Sequence, residues 1–271
     1  TAGCVVASRL SAEGMKVLLI EAGGDIAPER VPEDINDLYP RSYFNPAYAW
    51  PGLLASQSAQ GSLSKTPYIQ AKVLGGGSNI MGMIALRGLP ADYDGWCELG
   101  AKGWGWKDVL TRFKRLESDI DFDGNLKGDF DGNLKGNSGF VNVRRLTPSE
   151  WPTFATAIGV AATRHGFDTI KDMNTEFGDG YGSLPFSSTQ AGRVSSTTAY
   201  LGESVRSRDT LTVLCEAEVK RLLITRNRCT GVEVRVENGL RTYSADEVIV
   251  SGGSIFTPAI LMRSGIGPAE E

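Results

Sequence analysis

The sequence predicts an α/β protein. Residues 3–14 (GCVVASRLSAEG) carry a helical face, KVLLIE at 16–21 is a short apolar strand ending in an acid, and from residue 211 the pattern becomes β. A helix running straight into a strand is the rear two-thirds of a βαβ unit. Val232, Val234 and Val236, alternating with Glu233 and Arg235, have the period of an antiparallel meander.

The first unit narrows the class. Gly3 and Ala7 are small and one turn apart, Val6 and Leu10 continue their face, and Gly14 supplies a left-handed stop. In the dinucleotide fingerprint GxGxxG the last glycine lies inside the helix, where it lets helix and sheet approach closely. An acid about 20 residues after the motif binds the adenosine ribose. Gly3 and Glu21 fit those two places, which makes the unit Rossmann-like. Its first strand and first two glycines are expected just before Thr1, in a chain cut inside its own motif. Half a fingerprint is not specific alone, because any α/β protein can place a small residue there.

Residues 25–70 are rich in Pro, Ser and Tyr with little periodicity and read as an extended surface excursion. VLGGGSNIMGMIALRG (73–88) sets three glycines before an apolar segment, and Val109, Leu110, Phe113 and Leu116 have helical spacing. Residues 121–136 are DFDGNLKG written twice, a tandem duplication expected in a solvated loop. Asp119, Asp121, Asp123 and Gly124 match the front of a calcium-binding EF-hand loop, but Phe130 stands where the bidentate Glu is needed, so calcium is rejected.

SGFVNVRR (138–145) alternates like a strand. Residues 150–165 predict a helix with Phe154, Ile158 and Ala161 on one face, Ser149 as N-cap and Pro152 in the first turn. His165, the one histidine, comes at the end of that helix, where a polar or positive residue is favourable, and reads as a helix-end residue rather than a base. LTVLCEAEV, KRLLIT and GVEVRVENGLRTYSADEVIVS then predict the meander, with a hairpin turn at Asn238-Gly239 and a further buried strand at EVIVS. GGSIFTPAILMRSGIG adds a second glycine-rich turn into a helix ending at Gly265.

Composition excludes several classes. A net charge of −4 over 28 basic and 32 acidic residues, with no basic block, predicts no nucleic-acid partner. No apolar run approaches the roughly 18 residues of a membrane helix, which predicts a soluble chain with no membrane partner. Cys4, Cys97, Cys215 and Cys229 are scattered without a CxxC or Cys/His cluster, so no metal site is expected, and a reducing, cytoplasmic compartment is.

Three stretches together, the half fingerprint with Glu21, VLGGGS, and Gly253 to Gly267, resemble the glucose-methanol-choline (GMC) oxidoreductases, flavoproteins that oxidise alcohols. The last looks like the family's second signature, with Thr257-Pro258, Ile260-Leu261 and Ser264-Gly265-Ile266-Gly267 in step. PADYDGW, GWGW and the 138–145 strand are also similar to family members, particularly bacterial alcohol and furfural oxidases. The resemblance covers the whole chain but the front half of the family's usual length.

It implies FAD as cofactor and a small-molecule alcohol as substrate, and is silent on assembly. Glu21, with Ala22 beside it, would hold the adenosine ribose, while Thr1, Ala2 and Gly3 would lie against the pyrophosphate. Val73, Gly75, Gly76, Gly77 and Ser78 would line the flavin loop, Val219 would meet the adenine through its backbone, and Gly252 would open the second glycine turn. Most relatives carry Asn or His near the flavin ring where this chain has Met81. Met81 cannot donate from its side chain, so it is expected to give shape and a backbone N–H, with Asn79 as the residue that could compensate. The implied domains are 1–137 and 196–271 for FAD and 138–195 for the start of a mixed-sheet substrate domain. The family's base is expected C-terminal of Glu271, so no catalytic residue is assigned and these 271 residues alone are expected to be inactive. A non-catalytic flavin-binding remnant and a GMC-fold lyase are the alternative readings.

Overall fold

The computed structural model describes residues 1–56, 65–122 and 134–268. In chain order its elements are α1 (Ala2–Ala12), β1 (Val17–Ile20), α2 (Glu33–Asn36), β2 (Leu54–Ser56), β3 (Lys65–Pro67), α3 (Gly77–Ile80), α4 (Pro90–Glu98), α5 (Trp106–Leu116) and β4 (Glu117–Asp119). They continue with β5 (Val141–Arg145), α6 (Thr153–Arg164), β6 (Pro185–Thr189), β7 (Gly192–Arg193), α7 (Ser196–Tyr200), α8 (Glu203–Arg206), β8 (Leu211–Leu214), β9 (Glu218–Thr225), β10 (Arg228–Val236), β11 (Gly239–Ser244) and α9 (Gly253–Arg263). The chain forms two compact units, Thr1–Met81 with Ser195–Glu271, and Gly82–Val194. The first division falls after Met81 rather than at 137. The reason is local: α5 runs directly into β4, which pairs with β5 and so draws residues 82–137 into the second unit.

In the first unit β1 pairs in parallel with β8, Val17 opposite Leu211 and Ile20 opposite Leu214. α1 packs its small side on this pair: a Cβ at Gly3 would lie 3.4 Å from Leu19 and 3.5 Å from Ser251, and Cys4 and Ala7 are buried. Arg208 and Thr210 fasten the far end of α1 through the Ser8 and Ser11 carbonyls. Gly14, at φ +81°, stops the helix as expected. The 25–70 segment is not featureless; it contains α2, three short 3-10 turns and the β2–β3 hairpin, and Ile26, Ile35, Ala71, Val73 and Ile80 close a core around it.

The predicted 211–219 strand is two strands. Cys215 to Ala217 bend away, with Glu216 at φ +53°, so that β8 joins β1 while β9 begins the β9–β10–β11 antiparallel sheet. The tight turn with two left-handed residues is Arg226-Asn227, between β9 and β10. The second turn is Glu237-Asn238, one step earlier than the sequence suggests, and Gly239 already pairs with Val236 as the first residue of β11. EVIVS at 247–251 forms no ladder among the described residues. Val248 and Val250 instead pack on the core of Leu222, Val232, Val234 and Ile260.

The second unit holds a sheet in the order β4-β5-β6-β7, in which the first pair is parallel and the others antiparallel. α6 forms, but Pro152 precedes it, while Ser149 lies in the separate turn Pro148–Glu150 capped by Thr147. Phe154 and Ile158 are exposed, and the buried contact is Gly159 against Tyr181. Below the sheet end, Arg145 grips Asp119 with two bonds of 2.9 and 3.0 Å and reaches Asp172 at 2.7 Å. Lys135 completes the group at 2.7 Å from Asp119 and 2.5 Å from Asp172. Most of the duplicated octapeptide, and with it the rejected calcium loop, lies outside the described residues.

Candidate functional site

β1 delivers Glu21 to the end of the parallel pair. Its N–H donates to the Leu214 carbonyl and its own carbonyl accepts from Ala217, so the backbone is fixed on both sides. The carboxylate accepts from the Gly23 amide at 2.9 Å. Burial pushes the Glu21 carboxyl above its usual range, with the Gly23 and Ala22 amides among the groups that oppose the rise. Gly23 lies flat on the next segment: a Cβ there would come 2.0 Å from the Lys72 carbonyl oxygen. Gly24 bridges Val73, and the Leu74 amide donates to the Gly24 carbonyl at 3.0 Å.

That contact sets the glycine turn beside the strand end. Gly75 and Gly76 have φ of +89° and +58°, a conformation that L side chains rarely adopt, and they lead into α3. Three hydroxyls converge on the Gly75 carbonyl: Thr1 Oγ1 at 2.8 Å, Ser78 Oγ at 2.8 Å and Ser196 Oγ at 3.3 Å. Thr1 is also the N-cap residue of α1, so the start of that helix and the glycine turn meet. Gly3 lies against Ser251, next to Gly252, which caps α9. Glu21 and the two glycine turns, 50 or more residues apart in sequence, are thus gathered around one end of α1.

Several site residues differ from expectation. Met81 is 42% exposed, but its N–H donates to the Gly77 carbonyl, so it has no backbone donor to offer. Asn79 cannot replace it. α3 turns its side chain inward, fully buried, where Nδ2 donates to the Leu74 carbonyl at 2.6 Å. Val219 sits in β9 opposite Val234, two residues beyond the Ala217 amide that holds Glu21. His165 caps the C-terminal end of α6. Ser196 and Thr197 of α7, buried behind the glycine turn, were not anticipated from the sequence; the hydroxyl run Ser195-Ser196-Thr197-Thr198 was the available signal.

The GMC oxidoreductase family profile matches residues 21–271, beginning at Glu21. The chain belongs to the GMC oxidoreductase family. Over 280 residues it is 38% identical to the 5-(hydroxymethyl)furfural oxidase of a Methylovorus species, covering 100% of this chain and 51% of that relative. It is 33% identical to the oxygen-dependent choline dehydrogenase of Photobacterium profundum, over 99% of this chain and 45% of the relative. Among solved structures, pyridoxine 4-oxidase from Mesorbium loti superposes with a TM-score of 0.86 at 28% identity, over 99% of this chain and 51% of that one. An FAD-dependent oxidoreductase from Chaetomium thermophilum gives 0.84 at 28% identity, over 98% and 46%. The chain therefore spans about half the length of the GMC relatives it matches. Among the described residues no helix is long and apolar enough to cross a membrane, and no group of His, Cys, Asp and Glu is arranged to hold a metal ion.

Proposed function

We propose that the first unit is the Rossmann-like FAD-binding part of an oxidoreductase that oxidises a primary alcohol to an aldehyde, and that the second unit begins its substrate part. The observation that supports this is the meeting of three sequence-distant features at the start of α1: the carboxylate of Glu21, the left-handed glycine pair at 75–76, and Gly252. The donor set fits the group. A carboxylate at the end of β1 can accept from a vicinal ribose diol, the amides of Ala2 and Gly3 at the helix start suit a pyrophosphate, and glycines let backbone come within hydrogen-bonding distance. The flavin, when bound, supplies the acceptor for the hydride that leaves the alcohol carbon. The chain's own part is to bind and orient it; no residue here takes the role of general base.

The test is an FAD titration of the purified protein followed by absorbance and flavin fluorescence. Wild type is expected to retain flavin, and Glu21→Gln to weaken binding about tenfold or more, since a charged acceptor is lost. The ionised carboxylate is the stronger acceptor for a ribose diol than its protonated form. Because burial raises the Glu21 carboxyl, wild-type affinity is expected to fall on acidification at a pH above the ordinary glutamate range, whereas Glu21→Gln shows no such step. A protein that holds no flavin after supplementation overturns the reading.

A further inference from the structure

We propose that Ser196 is a positioning residue of the dinucleotide site, tying the first turn of α1 to the 75–78 glycine turn so that both address the same dinucleotide. This rests on the FAD reading above. Ser196 reaches the turn through both its amide and its hydroxyl. The Ser196 amide donates to Ser78 Oγ at 3.0 Å, the two hydroxyls lie 2.9 Å apart, and both stand within reach of the Gly75 carbonyl, Ser78 at 2.8 Å and Ser196 at 3.3 Å. On its other side α7 packs against α1, where the Cys4 thiol of the first turn is a hydrogen-bond partner of Ser196, and the Thr1 hydroxyl at the α1 N-cap shares the Gly75 carbonyl with Ser196. One buried side chain therefore touches both elements.

Thr197 closes the remaining space. Its Cγ2 would lie 2.9 Å from a Cβ at Gly75, and its hydroxyl reaches Asn79 Oδ1 at 3.5 Å. Two consecutive glycines are the most permissive backbone a chain can offer, so a turn built on them needs an external brace to present its amides in one arrangement. Thr198 provides the contrast within the same helix. Its hydroxyl bonds to the Ser195 amide and carbonyl at the α7 cap, and these bonds do not reach the glycine turn.

The experiment compares Ser196→Ala, Ser78→Ala and Thr198→Ala with wild type. It measures FAD affinity by flavin fluorescence and, in the apoprotein, amide hydrogen exchange of a peptide covering residues 73–80. Ser196→Ala is expected to weaken FAD about fivefold to tenfold and to speed exchange in that peptide. Ser78→Ala removes the same link from the turn side and is expected to do likewise, which keeps the test alive should Ser196→Ala not fold. Thr198→Ala is expected to leave both readouts at wild-type values. Wild-type FAD affinity in the Ser196 and Ser78 variants, or equal losses in all three, overturns the proposal. If wild type itself binds no FAD, the FAD reading fails and exchange decides alone: faster exchange in the Ser196 and Ser78 variants upholds the brace, and unchanged exchange overturns it.

Discussion

Cys215 is a half-buried thiol near the carboxylates of Asp25 and Glu21. Burial first, and those charges second, push it up to about 12, against the pull of Arg206. The thiolate is the reactive form, so Cys215 is expected to resist iodoacetamide at pH 8 in the native protein and to react after denaturation, as read by peptide mass spectrometry. The placement of individual residues was legible from sequence where it follows from position along one element. Glu21 is the acid that ends a strand after a small-residue helix, and that pattern is local. Ser196 was not legible, because its significance lies in Ser78, 118 residues away, and in Cys4 on a third element. Met81 failed for a related reason: whether its N–H is available depends on α3 ending there and claiming it.

At the scale of elements, the buried group around Arg145 joins β4, β5 and the 172 loop. Burial pushes the Asp172 carboxyl up, but the charges of Arg145 and Lys135 outweigh it and hold the carboxyl below its usual range. Arg145→Met would leave Asp119 and Asp172 with Lys135 alone, and a loss of about 3–5 kcal/mol is expected in urea denaturation. The octapeptide duplication is anchored at its outer ends. Asp121 accepts from the Arg145 amide and Phe122 lies under the Lys135 and Arg145 cations, while Leu134 accepts from Arg87 and Gly136 donates to Glu117. Deleting residues 123–130 leaves one complete DFDGNLKG with each of these in order, so the thermal midpoint is expected to stay within about 2 °C of wild type in calorimetry. Helices and the alternating strands were readable because their periods are local. The turn placement was not: Arg226-Asn227 takes the left-handed pair and Gly239 is drawn into β11, because strand register, set by which valines face the core, outranks the preference of Asn-Gly.

For the whole molecule, the two units carry carboxylates shifted in opposite directions. Glu21 is raised, so between the ordinary glutamate value and its folded value the native state binds more protons than the unfolded chain, and stability falls as pH rises through that window. Asp172 is lowered, so its contribution is complete above the ordinary aspartate value and is lost as pH falls through its folded one. At pH 7 Glu21→Gln is therefore expected to stabilise the apoprotein and Asp172→Asn to destabilise it. On acidification the Glu21 difference should vanish first, in unfolding followed by hydrogen exchange in each unit. The broad α/β class and family membership were legible because three short motifs survive in order along the chain. The division after Met81 was not, since it is decided by the pairing of β4 with β5 across a segment of low complexity. The bend at Cys215 to Ala217 has a wider consequence. One continuous run of chain feeds two sheets, and the Glu216 and Ala217 amides zip it onto Gly23 and Glu21. A single residue gained or lost there would have to be taken up in the bend itself, because the Arg226-Asn227 turn fixes β9 on β10 and the ladder with β1 fixes β8.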